Sequence, residues 1–279
     1  MHCIHPIVIE NNILYTRKSP VNMIKTKIPV LFFYFLACHT MSMSVWGDEK
    51  IDYTVSADFM SKYIWRGQLL NDDYVFQPCV TAGYKGLTFC IWGNADFTDY
   101  TGNKGEFTEY DYTLSYEGKF APDSKLSYLV GTVHYRYPSS VADTTEVFWG
   151  LSYDTFLSPS ITVYHDIDEI GGGSYVSFGL SHTVENILKL SDSVRADLVF
   201  GASLGWGNSQ YNQGYWGVDS AELNDLTLKA ALPFDLSNGW SVTPSFNYVT
   251  LVNSSIRDTD TFSTGSDYFF TGVNIGKSF

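Results

Sequence analysis

Glu109 and Asp111 stand two residues apart in a segment, Phe107 to Tyr116, where Tyr110, Tyr112, Leu114 and Tyr116 take the alternate positions. Charges elsewhere follow the same rule: Asp52, Asp58, Lys62 and Arg66 share one parity in Ile51 to Gly67, and Arg195 and Asp197 share one in Val194 to Trp206. Side chains of an extended chain alternate between faces, so such segments carry a polar face and an apolar or aromatic one. If the apolar faces meet lipid, the opposite faces line a lumen with Asp52, Asp58, Lys62, Arg66, Glu109, Asp111, Arg136, Glu146, Asp166, Arg195, Asp197 and Lys229. Charged side chains around a pore screen permeants by charge, and the acidic excess here favours cations weakly. The opposing expectation is that these charges pair across the lumen and plug it. Arg66, beside Gly67, is expected at the end of the first strand. There it either reaches acids on neighbouring strands to fix the pore mouth or sits in a structural ion pair.

Other chemistries find less support. A lipid hydrolase on such a barrel needs a Ser, a His and an orienting polar group together on the lipid-facing side near one rim. His165 falls on an apolar face near a strand end, Ser181 and His182 are adjacent and so point to opposite faces, and His134 completes no set. His165-Asp166 with Asp168 and Glu169 offers oxygen ligands for Ca²⁺, but it reads first as a solvated acidic rim. No metal or other cofactor is expected. Cys79 and Cys90 lie on the same face of one hairpin. They are directly opposite if the loop spans Gly83 to Gly86 and diagonal if it is Lys85-Gly86. That permits a disulfide and equally two small residues pointing into the barrel.

The elements that must position these residues are short two-faced strands. After Ile51 to Gly67 come Val75 to Tyr84, Leu87 to Phe97, Phe107 to Tyr116, Leu126 to Tyr137, Thr144 to Tyr153, Ile161 to Ile167 and Tyr175 to His182. Val194 to Trp206, Leu223 to Leu232, Trp240 to Val252 and Asp267 to Phe279 complete twelve. Val184 to Leu190 reads as a connection. Twelve antiparallel strands in up-and-down order let the last pair with the first, which removes the sheet edges. Long loops, Gly207 to Glu222 and Asn253 to Ser266, follow odd strands, and short turns such as Lys85-Gly86 follow even ones, with Val184 to Ser193 as the exception. Long loops on one side and short turns on the other is the pattern of outer-membrane barrels. Aromatics near strand ends, such as Tyr63, Trp65, Tyr135, Tyr137, Trp206 and Trp240, suit the membrane interface. A secreted β-sandwich or lipocalin-like barrel also alternates, but it would normally carry more surface Lys and Glu.

Composition agrees with an all-β class. The 279 residues are 16% aromatic and only 17% charged, and the mean hydropathy is −0.07, too low for a helical membrane protein. Lys25 and Lys27 precede the apolar run Ile28 to Ala37, and Gly47 offers a cut site. Residues 1–47 therefore read as an N-terminal extension and cleaved secretory signal peptide with its natural start at Met23, and residues 48–279 as the barrel. From Asp48 onward, 13 Lys and Arg face 29 Asp and Glu, which argues against a nucleic-acid partner.

Ser61-Lys62-Tyr63-Ile64-Trp65-Arg66-Gly67, then Gln77-Pro78, Gly86-Leu87 and Trp92-Gly93, resemble the opening of the TorF family of porins. There, a strand ending in aromatic-Arg-Gly is followed by one entering the sheet at a Pro. Glu109-Tyr110-Asp111, Tyr135-Arg136-Tyr137-Pro138 with Glu146, and Tyr164-His165-Asp166 with Gly171 to Gly173 and Tyr175 extend the resemblance across nearly all of the barrel region. It implies a channel for small solutes or ions in a bacterial outer membrane. Its partners are then outer-membrane lipid and, through the terminal Phe279 on an alternating strand, the barrel-assembly machinery, although Lys277 departs from that terminal pattern. The alternative is a non-conducting barrel that acts as adhesin, receptor or envelope scaffold through its long loops.

Overall fold

In the computed structural model, the described residues are 51–138, 142–191 and 194–279. The signal sequence and the start at Met23 lie outside them. The chain forms β1 (Asp52–Met60), β2 (Tyr63–Trp65), β3 (Gln68–Asn71), β4 (Val75–Tyr84), β5 (Leu87–Asp96), β6 (Phe107–Lys119), β7 (Leu126–Arg136) and β8 (Thr144–Tyr153). It continues through β9 (Ser160–Asp166), β10 (Ser174–Ser191), β11 (Val194–Gly207), α1 (Ser209–Trp216), β12 (Glu222–Ala231), β13 (Phe234–Asp235), β14 (Trp240–Leu251), α2 (Ser254–Arg257) and β15 (Asp267–Ser278).

Among the described residues, twelve of these strands close into one antiparallel barrel. Each pairs with its neighbours in chain order, and β1 returns to β15 with Asp58 opposite Asn274. Closure leaves no strand edge to satisfy, which is what a spanning sheet requires. The short β13 continues the wall between β11 and β14 beyond the end of β12.

The alternation read from the sequence sorts residues between wall faces as expected on most strands. On β1, Val55 and Phe59 point outward and are exposed while Ser56 is buried within. On β6, Glu109, Asp111, Thr113 and Ser115 are all buried. Phe246 and Phe269, 69% and 76% exposed, sit on the outer face of β14 and β15. That exposure suits contact with hydrocarbon.

Trp65 and Tyr135, expected at the membrane interface, are instead buried inside the barrel, and three expectations about the course and phase of strands fail. First, the opening strand stops at Met60 rather than running to Gly67. The chain then folds inward as a β2–β3 hairpin with Trp65 opposite Gln68, which belongs to a separate two-stranded sheet. The turn is made by Arg66 (φ 47°) and Gly67 (φ 82°), the left-handed pair that a tight hairpin needs. Second, Val184 to Leu190 is no connection: β10 runs on to Ser191, paired with β11 across irregularities near Asn186. The supposed exception to the alternation of loop lengths thereby disappears. Third, β7 has the opposite phase from that expected. Its Val133 and Tyr135 are buried inside, and Arg136, aligned with the outward Tyr110, is exposed on the outer face. Inward apolar groups are favoured there because Trp65 of the hairpin and Phe148 of β8 pack on them.

Candidate functional site at the long-loop mouth

The hairpin crosses the lumen at the end where the long loops gather. From β1 the wall runs through β4, β5, β6 and β7 before reaching β8, so the hairpin tip reaches nearly the opposite side. Arg66 Nη1 donates to Glu146 Oε1 at 2.7 Å and Nη2 to Oε2 at 2.8 Å. This fork-to-carboxylate geometry is the strong form of the pair. The same Glu146 accepts from the Tyr135 hydroxyl at 2.7 Å. Both side chains are nearly sealed from solvent, at 5% and 2% exposed.

Aromatic rings enclose the guanidinium. Its carbon lies 4.4 Å from the ring centre of Trp65, 4.3 Å from Tyr164, 4.5 Å from Tyr175 and 6.0 Å from Tyr211. All are within the range where a cation gains from a ring face. Tyr175 is itself anchored, donating to Asp225 Oδ1 at 2.8 Å. Gly205 faces this pair closely enough that a Cβ would collide with the Tyr175 hydroxyl and the Asp225 carboxylate. At Gly67 a Cβ would lie 2.7 Å from Leu251 Cδ2 and 2.9 Å from Asp225 Cβ, so the turn needs glycine for space as well as for φ.

Other ties hold the hairpin along its length. Tyr63 donates to Glu109 Oε2 at 2.8 Å, and Gln68 donates to the Tyr211 hydroxyl at 3.3 Å. At its base Lys62 pairs with Asp72. Trp65 packs edge-on to Tyr135 and Tyr215, with ring centres 5.7 and 5.5 Å apart, while Leu69 packs with Val249 and Tyr268.

Tyr211 and Tyr215 come from α1, which begins at the Asn208 cap, whose side chain accepts from the Tyr211 amide at 2.9 Å. Asn212 then donates to the carbonyls of Gly207 and Ser220 and accepts from Asn224. These bonds turn a long loop into a rigid lid over the mouth. Burial pushes both phenols of α1 upward, so they stay neutral.

The charge balance at this end is lopsided. Among the described residues, Arg66 is the only buried Lys or Arg, against buried Asp96, Glu109, Asp111, Glu146, Asp166 and Asp225. Of the residues singled out in the sequence, Arg66, Glu146, Glu109 and Asp111 do come together at the mouth. Asp166 is used locally: its carboxylate accepts from the Asp168 and Ile170 amides and from Thr144. No group of three or more metal-ligating side chains suited to a metal occurs among the described residues.

The remaining sequence candidates are dispersed. Asp58 bonds Asn274 further down the lumen and feels the charge of Lys229. Asp197 accepts from the Asn186 amide at 2.7 Å, and Arg195 is exposed near the short-turn end, opposite Lys189 and Asp235. Lys62 guards the hairpin base, and Arg136 is not in the lumen at all. Cys79 and Cys90 are unbonded thiols with sulfurs 2.9 Å apart. They are diagonal, because Tyr84 and Leu87 close a two-residue turn.

Sequence reasoning missed the tyrosines around Arg66. Tyr164, Tyr175 and Tyr211 are spread over three elements; the first two stand in the TorF-like motifs with no role attached to them, and Tyr211 lies in a long loop. It also missed two outward His–hydroxyl contacts, His165 Nδ1 to Ser174 Oγ at 2.8 Å and His134 Nδ1 to Thr145 Oγ1 at 3.1 Å. Each joins directly opposed residues of neighbouring strands, the ordinary cross-strand pairing of a sheet.

No family model matches the chain, and no curated protein matches it in sequence. Among solved structures it is similar to the KdgM porin, at 11% identity and a TM-score of 0.48 over 81% of this chain and 99% of that one. It is also similar to the NanC porin, at 12% identity and 0.45 over 81% and 98%, and to LpxR from Salmonella typhimurium, at 10% and 0.48 over 81% and 99%.

Proposed function

We propose that this chain is an outer-membrane channel of the TorF type for small hydrophilic solutes and ions, with a weak preference for cations, whose outer mouth the β2–β3 hairpin holds closed. One observation carries the reading: the inner wall carries its large apolar packing groups, set among the buried acids, where the hairpin touches it, and is mainly small and polar away from it. Val133, Tyr135, Phe148, Val249, Leu251 and Tyr268 are among the buried inward apolar residues beside the hairpin. Toward the short-turn end, the inward positions are Thr54, Ser56 and Asp58 on β1, Cys79 and Thr81 on β4, and Ser241 and Thr243 on β14. A wall built to be filled throughout would keep apolar packing groups along its length. The resemblance to TorF porins and the secretory signal sequence support the same location and role.

The test is single-channel recording in planar bilayers with KCl gradients, comparing the refolded barrel with a variant whose residues 62–72 are replaced by a Gly-Ser linker. The intact protein should show rare or small openings. The variant should show larger, lasting steps with a reversal potential favouring K⁺. A non-conducting adhesin, receptor or scaffold is favoured by how fully the hairpin and α1 occupy the mouth. A folded variant that stays silent would decide for that reading.

A further inference from the structure

We infer that the pocket filled by the Arg66 guanidinium is a binding site for small solutes carrying an alkylguanidinium group, with Arg66 as its built-in occupant. This rests on the reading of the hairpin as a closure. The walls of the pocket belong to the barrel and its lid: Glu146 on β8, Tyr164 on β9, Tyr175 on β10 and Tyr211 on α1. The occupant arrives on the hairpin together with one covering ring, Trp65, and the two hairpin strands pair only with each other. Withdrawing the hairpin removes Trp65 and the Gln68 bond to the Tyr211 hydroxyl but leaves the carboxylate and three rings on the barrel and its lid. Tyr175 stays aimed by Asp225, and Glu146 stays oriented by the Tyr135 hydroxyl.

The vacated pocket has a defined chemistry. Glu146 offers two oxygens to a pair of parallel N–H donors, and Tyr164 and Tyr175 lie at 4.3 and 4.5 Å from the bound carbon. A planar fork satisfies both at once, which an ammonium cannot do. Without its one cation the pocket holds an unpaired buried carboxylate among other buried acids, so a replacement cation is strongly favoured. A solute with a guanidinium tail would thus compete with Arg66 and shift the hairpin toward its open position, since a ligand moves such an equilibrium by its differential affinity for the two states.

The experiment uses Arg66→Ala, refolded in detergent and titrated calorimetrically with millimolar methylguanidinium or methylammonium at constant ionic strength. Saturable one-to-one binding of methylguanidinium is expected, about tenfold tighter than methylammonium, the ratio that one lost charge-assisted contact gives. Binding should vanish in Arg66→Ala with Glu146→Gln and be weaker by at least about tenfold in the wild type, where Arg66 competes. No saturable binding, equal affinity for the two cations, or binding that survives in the double variant would overturn the site. If Arg66→Ala refolds poorly, the readout becomes the yield of heat-modifiable barrel with and without methylguanidinium, and absence of recovery counts against the inference. Conductance of the same variant separates the two readings. Conduction without guanidinium binding removes this site and keeps the channel, whereas binding without conduction under any condition removes the channel and keeps the site.

Discussion

Arg66 and Glu146 set the terms at the smallest scale. Leaving one member of a buried pair alone costs about 3–5 kcal/mol, because the survivor has neither water nor a partner. Glu146→Gln should accordingly lower the urea midpoint of unfolding, measured by loss of the heat-modifiable band, far more than Asp72→Asn at the half-exposed base of the hairpin. Gly67→Ala should cost about 1–3 kcal/mol in the same assay, from the left-handed turn and the contacts with Leu251 and Asp225. The weight of Arg66 was legible in the sequence because a lone Arg beside a Gly at the end of a polar face has few exits. Its partner was not, since Glu146 is 80 residues away and several acids had equal standing. The cysteines were half legible: their common face followed from parity, and the Lys85-Gly86 turn decided only that they are diagonal.

The individual elements show where alternation stops being informative. A strand in the wall and a hairpin arm inside the barrel are both extended and two-faced, so Ile51 to Gly67 reads as one strand although it breaks after Met60. Only the Arg66-Gly67 turn marked the difference, and it resembled an ordinary strand end. The phase of β7 was hidden for a related reason. Tyr135 and Val133 look lipid-facing by composition, and it takes the hairpin's Trp65 to make the inner side the better place for them. The correction has a measurable consequence. Arg136→Glu should leave channel selectivity unchanged because Arg136 lies outside the lumen, whereas Asp58→Asn should move the reversal potential toward anions. Equal shifts in the two variants would contradict the assigned faces. For α1, Asn208→Ala removes the cap and should cost about 1 kcal/mol of stability, loosening Tyr211.

The whole architecture was the most legible level, because period-two patterning in twelve segments, loop lengths alternating in phase and an even strand count all point to the same closed wall. What patterning could not reveal was how far each strand outruns the membrane. A tilted spanning strand needs about 9–11 residues, and β10 has 18 and β11 has 14. The excess lies at the short-turn end, where Val184, Ile187, Leu188 and Leu190 are exposed, and at the strand rise of about 3.3 Å it amounts to a ribbon on the order of 20 Å long. Lys189 and Arg195 sit on that ribbon, both solvent-exposed. In sealed vesicles added trypsin should clip there only in molecules whose short-turn end faces out, so the fraction cut reads directly which way round the barrel has inserted.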